Sequence, residues 1–247
     1  SVRRNIKIHK MSKIIIDKKN KRHYWESGDL HIEEGSITEK EIKKNCSTVS
    51  TNLGKVLHKF EAQFPDKVQD LKRGPATIIP KDIGTIIATT GINSKSKIVD
   101  AGSGSGILAA YLSNITDSVT TYEINKKHFK ISKSNLKKIG SKAKIKNQDI
   151  SEGIKEINLD LITLDLPEPG PILKHAHTSL KSGAYLVCYL PSITQVHELI
   201  KDSKKHNFIL EKVSETLERE WTVKDKVCRP NHQMLGHTAF LVFFRKY

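Results

Sequence analysis

The run Asp100-Ala-Gly-Ser-Gly-Ser-Gly106 sets Gly102, Gly104 and Gly106 at alternate positions, after an apolar stretch at Lys97 to Asp100 and before a helix-like one. Glycine reaches backbone angles closed to other residues and lets a ligand approach the main chain, while the helix start offers free N–H donors. Such a loop, with Ser103 and Ser105 between its glycines, suits a nucleotide-like ligand. A dinucleotide fingerprint needs GxGxxG to seat a pyrophosphate, and here the third position falls on Ile107. The spacing therefore favours a nucleoside without phosphates, S-adenosylmethionine (SAM). The alternative is a tight turn that packs a helix onto a strand.

Two carboxylates follow at matching places. Glu123 closes the next strand-like run, nineteen residues past Gly104, where an acidic side chain can accept both hydroxyls of a ribose. Asp149 is expected to end the third strand, in reach of an adenine amine. Ligands of open α/β sheets bind at the carboxyl ends of strands, where all three features fall. Singly, each carboxylate reads as a polar strand end.

The fourth strand ends in Leu164-Asp-Leu-Pro-Glu-Pro169, which carries Asp165 to the same rim on a loop stiffened by two prolines. Amino-group methyltransferases place (D/N)PP(Y/F) here. No aromatic follows in this sequence, so a different acceptor is implied, such as a ring nitrogen of adenine. Its lone pair is free at neutral pH, so attack needs placement and stabilisation of the cation that forms, not a strong base. Asp165 is the candidate catalytic carboxylate and Glu168 a second choice; a carboxylate that caps a turn is the alternative.

The elements that must position these residues read as an alternation of strands and helices after Lys72. A helix is expected over Pro80 to Gly91. Strands are expected at Lys97 to Asp100, Val119 to Ile124, up to Asp149, Asp160 to Leu166 and Ala184 to Leu190. Two final strands, Phe208 to Leu217 and Thr238 to Phe244, lack an intervening helix and should pair antiparallel. Short alternating segments with turn signals before Lys72 read as a small β-rich module. The expected division is residues 1–72 and 73–247.

Composition narrows the class. The 247 residues carry 42 Lys+Arg against 27 Asp+Glu, a net charge of +15, with 37% hydrophobic residues. That excess points to a polyanionic partner, RNA or DNA before a membrane surface. Arg3, Arg4, Lys18, Lys19, Lys21 and Arg22 enrich the N-terminal module. Lys126, Lys130, Lys133 and Lys137 recur at helical spacing, which is also the pattern of a merely solvated face. No run is apolar enough to span a bilayer, and no h-region longer than Ile14–Ile16 marks a signal peptide. Three cysteines without a CxxC pair fit a reducing, cytoplasmic setting. His175 and His177, two apart on a helix, cannot share a metal, so no metal site is expected. Cys188 and Cys228 are expected to be buried thiols and His237 a structural histidine. Phe240–Phe244 is core or subunit interface.

With Arg73-Gly-Pro75, Pro80-Lys-Asp82, the glycine loop, Asp165-Leu-Pro-Glu-Pro169, Arg229-Pro230 and His237-Thr238 assembled, the chain resembles the archaeal and bacterial tRNA (adenine-N1)-methyltransferases from about Gly35 onward. The resemblance implies a Rossmann-like SAM-dependent methyltransferase domain, doubly wound, with a mostly parallel seven-stranded sheet and an antiparallel last strand. It implies methyl transfer to adenine 58 of the tRNA T-loop, in some archaeal members also 57, by a homotetramer. Gly102 to Gly106, Glu123, His128 and Asp149 would hold SAM, Ile150 would lie beside its adenine, and Asp165 would engage the target base. The family often has Tyr before Pro-Lys-Asp; here Ile79 stands there, which removes an aromatic stacking surface. The rival readings are a methyltransferase of the same fold acting on a small molecule or protein, of corrinoid or isoaspartyl type, and a non-catalytic RNA-binding subunit.

Overall fold

The computed structural model describes residues 12–74 and 77–247, and the chain divides into two compact units between Leu71 and Lys72. Arg3, Arg4 and Pro75 lie outside the described residues.

The first unit contains β1 (Lys13–Ile16), β2 (Arg22–Trp25), β3 (Leu30–Ile32), β4 (Gly35–Ile37), α1 (Glu39–Lys43), β5 (Thr48–Ser50), β6 (Val56–Glu61) and α2 (Phe64–Gln69). Antiparallel pairing gives a four-stranded sheet ordered β2-β1-β6-β5 and a separate β3-β4 hairpin. Ile15, Trp25, Ile37, Ile42, Val49 and Leu57 form its core. Along β6, Leu57 and Lys59 share the inward face. The buried Lys59 ammonium donates to the carbonyls of Ile42 at 2.8 Å and Lys44 at 2.7 Å. These carbonyls close α1, where free acceptors and the dipole favour a cation.

The second unit contains α3 (Pro80–Thr90), β7 (Ile98–Ala101), α4 (Ile107–Ser113), β8 (Val119–Tyr122), α5 (Lys126–Lys138), β9 (Lys144–Lys146), β10 (Leu159–Leu164), α6 (Leu173–Ser179), β11 (Leu180–Leu190), α7 (Ile193–Ser203), β12 (Phe208–Ser214), β13 (Trp221–Lys224), β14 (Val227–Pro230) and β15 (Phe240–Lys246). Seven strands order as β12-β15-β11-β10-β7-β8-β9. β7 to β11 are parallel, and β15 runs antiparallel between β11 and β12. All four residues of β7 and of β8 are buried, as expected for a parallel sheet covered on both faces. Leu241 to Phe244 are fully buried, which assigns that run to the core.

The sequence-based bounds differ at the strand ends. β9 stops at Lys146 because the Asn147 side chain donates to the carbonyls of Glu123 at 2.7 Å and Ile124 at 3.1 Å, replacing the next backbone pairing. Asp149 therefore lies beyond the strand. β10 ends at Leu164 and β8 at Tyr122, so Asp165 and Glu123 are the first residues past their strands. The β13-β14 hairpin was not expected; its exposed Trp221, Val223 and Val227 belong to no core, and only core-facing alternation marks a strand in sequence. Among the described residues no helix is long and apolar enough to cross a membrane.

Lys59→Met leaves the buried Ile42 carbonyl without this donor, while the Lys44 carbonyl keeps Cys46 N, at about 1–3 kcal/mol for such a loss. The expected outcome is an apparent stability loss of about 2 kcal/mol in urea denaturation, and an unchanged midpoint would contradict the capping role.

Candidate active site

The chain begins its sheet at the centre, winds outward through β8 and β9, and returns to lay β10 on the other side of β7. The C-terminal ends of β7 and β10 thus flank the switch point where open sheets form a crevice. Ala101 pairs with Leu164, so the next residues, Gly102 and Asp165, face each other across it. Asp165 N donates to Ala101 O at 2.9 Å. Gly102 has φ +85°, and a Cβ there would lie 2.0 Å from the Asp165 carbonyl oxygen. Only glycine lets the two strand tips close to this distance. At the far end of the loop, Gly106 has φ +81° and a Cβ would meet Ser132 Oγ at 2.5 Å.

Side chains of α5 fix the loop from behind. Ser132 Oγ bonds Ser103 Oγ at 2.6 Å, and Asn135 Nδ2 donates to Ser105 O at 2.8 Å. The amides of Gly102 and Ser103 both donate to Tyr122 O at 3.1 Å. The loop is therefore held by hydrogen bonds to α5 and to the end of β8.

Glu123 is buried, and its carboxylate is aimed by main-chain donors: Gly104 N to Oε2 and Asn125 N to Oε1, both at 2.8 Å. Each oxygen keeps a lone pair for a further donor, as two vicinal hydroxyls would need. Asn125 caps α5 by accepting from Lys127 N and His128 N, which sets half-buried His128 on the first turn. Asp149 caps a short 3₁₀ turn over Ile150–Glu152 and accepts from Ser151 N at 2.8 Å through Oδ1. The Ile150 side chain is in the main core with Tyr122 and Val99, so only its main chain can meet a ligand.

Asp165 lines a recess with the glycine loop, Thr77 and Ile78. The recess is a shallow one of about 20 Å³, far below the roughly 300–1,000 Å³ usual for ligand pockets, so a nucleoside-sized group must extend from it across the strand tips. Burial pushes the Asp165 carboxyl up to about 7, and the Asp100 and Glu123 carboxylates add to the shift. Asp100 is fully buried and pushed up to about 6 by burial, although Thr121 and Thr163 donate to it at 2.6 and 2.8 Å. One carboxylate thereby clips β8, β7 and β10 together.

Tyr189 follows Cys188, the partner of Leu164, so it stands beside Asp165 on the neighbouring strand tip. Its hydroxyl donates to Asp82 Oδ2 at 3.2 Å, and burial first pushes it up to about 12. Fully buried Asp82 also accepts from Thr238 at 2.8 Å and pairs with Lys81 at 2.7 Å. The Pro-Lys-Asp and His-Thr motifs thus meet in one buried network. Sequence reasoning missed Tyr189 and the role of Asp100; the signal was their position at predicted strand ends. Ile79, the N-cap of α3, is half-buried.

Other candidates are corrected or separated. Exposed Glu168 lines a different depression with Gln195, Glu198 and Asp202, not the Asp165 recess. Cys188 is buried, but Cys228 is exposed, because β14 lies outside the core sheet. His237 bonds Glu215 at 2.8 Å and Pro191 O at 3.0 Å, and the Glu215 carboxylate raises its pKa. His177 contacts Tyr247 O and the Phe208 ring. No group of three metal-ligating side chains occurs among the described residues. In the first unit Lys19 pairs with Glu33 and Arg22 with Asp66, which neutralises part of the expected cationic surface.

Comparison with known proteins adds the following. Residues 70–228 match the family model described as the tRNA methyltransferase complex GCD14 subunit. The chain is 30% identical to the tRNA (adenine(57)-N(1)/adenine(58)-N(1))-methyltransferase TrmI of Methanocaldococcus jannaschii, over 94% of each chain. It is 31% identical to the tRNA (adenine(58)-N(1))-methyltransferase TrmI of Thermus thermophilus, over 90% of each. Among solved structures, a SAM-dependent O-methyltransferase from Thermotoga maritima superposes with TM-score 0.86 at 28% identity, covering 96% of this chain and 93% of that one. The tRNA (m1A58) methyltransferase TrmI from Aquifex aeolicus gives 0.81 at 26%, covering 97% and 98%.

Two outcomes follow from the geometry. Gly102→Ala forces the tips of β7 and β10 apart, with an expected stability loss of about 2–4 kcal/mol by denaturation. Because the native Asp165 pKa, about 7, lies above its ordinary 3.8, the folded state holds a proton that the unfolded chain releases, so stability falls as pH rises from about 4 to 7. Asp165→Asn should therefore be more stable than wild type by roughly 1–3 kcal/mol at pH 8, with the gap closing by pH 4. A gap that does not change with pH would overturn this account.

Proposed function

Because the chain belongs to the family described as the tRNA methyltransferase complex GCD14 subunit, we propose that it methylates N1 of an adenine in the tRNA T-loop, at position 58 or at 57 and 58, with SAM as donor. The observation that carries this reading is the meeting, at one switch point, of a close-approach glycine loop, a pre-aimed Glu123 and an Asp165 carboxylate that no side chain or amide bonds among the described residues.

The residues fit SAM by their chemistry. The glycine loop is drawn tight against the Asp165 main chain and Ser132, Glu123 keeps one lone pair per oxygen for the ribose, and Asp149 keeps Oδ2 for the adenine amine. His128 and the Ile150 main chain complete this reading. SAM, when bound, supplies a methyl group activated on a sulfonium.

N1 lies on the pairing edge, so the target base must leave its stack, at a few kcal/mol, before it can enter the site. As a carboxylate, Asp165 accepts from the exocyclic amine, which orients N1 and stabilises the positive charge that spreads over the ring as the N1–carbon bond forms. Burial, which raises its pKa, leaves the Asp165 anion poorly solvated, so it gains most where the cation appears. Tyr189 supplies an aromatic edge beside Asp165 where Ile79 supplies none. We read the N-terminal unit as contributing RNA contacts. We read the exposed Trp221, Val223 and Val227 on the β13-β14 hairpin as a surface for self-assembly; the homotetramer and the cytoplasmic setting are carried by the family resemblance.

Transfer of labelled methyl to bulk tRNA should fall at least about 100-fold in Asp165→Ala, with SAM affinity in calorimetry within about threefold of wild type. The wild-type profile should rise with pH through about 7 as Asp165 ionises. Reverse-transcription stops on treated tRNA would map the base. A wild-type protein that transfers nothing to tRNA would overturn the function, and an unaffected Asp165→Ala would overturn the assigned carboxylate.

A further inference from the structure

The exposed residues of α5 are Lys126, Lys127, Lys130, Lys133, Lys137, Lys138 and Ser134, and the helix holds no carboxylate. At about 100° per residue, Lys126, Lys130, Lys133 and Lys137 fall in a stripe about 60° wide. The buried Ser132, Asn135 and Leu136 lie on the other side. Like charges three and four residues apart repel, and lysines in a first turn oppose the helix dipole. Surface helices relieve this by interleaving carboxylates, as Glu39 and Lys43 do in α1.

The four stripe lysines have no ion pair among the described residues; Lys133 rests on the Phe129 ring at 5.6 Å. Elsewhere Lys19, Lys142, Lys181 and Lys205 are each held by a carboxylate. The stripe is therefore a concentrated and uncompensated field. It is also rigidly tied to the site, since the opposite face of α5 holds Ser103 and Ser105, and its cap residue Asn125 aims Glu123.

Resting on the reading of a tRNA-modifying enzyme, we infer that the Lys126–Lys137 stripe is the track on which phosphates of one substrate RNA strand dock beside the target base. The stripe is about 17 Å long, and each of its four lysines can neutralise one phosphate of a strand laid along it. A membrane surface fits less well, because an interfacial helix buries an apolar face in the lipid and α5 exposes no apolar residue.

The test is the full-length quadruple variant Lys126→Gln, Lys130→Gln, Lys133→Gln, Lys137→Gln, in which glutamine keeps helix propensity. Binding to tRNA is measured over a salt series, alongside SAM affinity and the methylation rate at saturating tRNA. The expected result is at least about tenfold weaker tRNA binding at moderate salt and a salt slope reduced by roughly 3, with SAM affinity unchanged and the saturated rate within about twofold. The matching Lys→Arg variant should restore the slope. A quadruple variant with the wild-type slope overturns the inference. So does one that keeps its tRNA slope but loses binding to phosphatidylserine vesicles. If wild type itself methylates no tRNA, the functional reading fails, and that outcome is separate from a wild-type enzyme whose stripe proves inert.

Discussion

The close approach of Gly102 to the Asp165 carbonyl is the constraint on which the site depends. It follows from the pairing of Ala101 with Leu164, which is fixed by two strands buried on both faces. Once that register is set, the loop amides, Glu123 and Asp165 have no freedom to separate. The hydrogen bonds from Ser132 and Asn135 then hold from the helix side what the sheet register holds from below. A ligand that binds here meets a surface already formed, so little ordering entropy is lost on binding.

The same compactness has an electrostatic consequence. Neighbouring carboxylates raise the proton affinity of two of the three acids: Glu123 acts on Asp100, and Asp100 and Glu123 act on Asp165. Each is managed differently: Asp100 by two threonine hydroxyls, Glu123 by two amides, and Asp165 by no hydrogen bond to its carboxylate among the described residues. The one left without donors is the one with the strongest drive to find a cationic or amine-bearing partner. That inequality, more than the presence of three acids, separates binding from reactive roles.

Much of this was legible in the residues. Three alternating glycines, Glu123 and Asp165 were readable because strand tips follow from where apolar runs stop. Asp149 was misplaced at a strand end because a side chain, Asn147, replaces the ladder, and no periodicity records that. Tyr189 stood near a predicted strand end, but its nearness to Asp165 comes from parallel register between segments far apart in sequence. The Lys81–Asp82–Thr238 network was visible only as two unrelated motifs. The β13-β14 hairpin and exposed Cys228 escaped because apolar residues there face away from the core.

The position of β15 between β11 and β12 bears on how the molecule assembles. β12 precedes β15 in the chain, yet its pairing in the sheet is with β15. Phe208–Ser214 must therefore wait, unpaired, while the segment holding the β13-β14 hairpin closes as a loop, an entropic toll collected before any contact is gained. Thr238 reaches Asp82 only after that closure, so the buried acid at the start of α3 stays short of a donor until the strand inserts. The half-sheet nearest Tyr189 is thus the part whose completion depends on closing that loop, and the contact of Thr238 with Asp82 depends on it too.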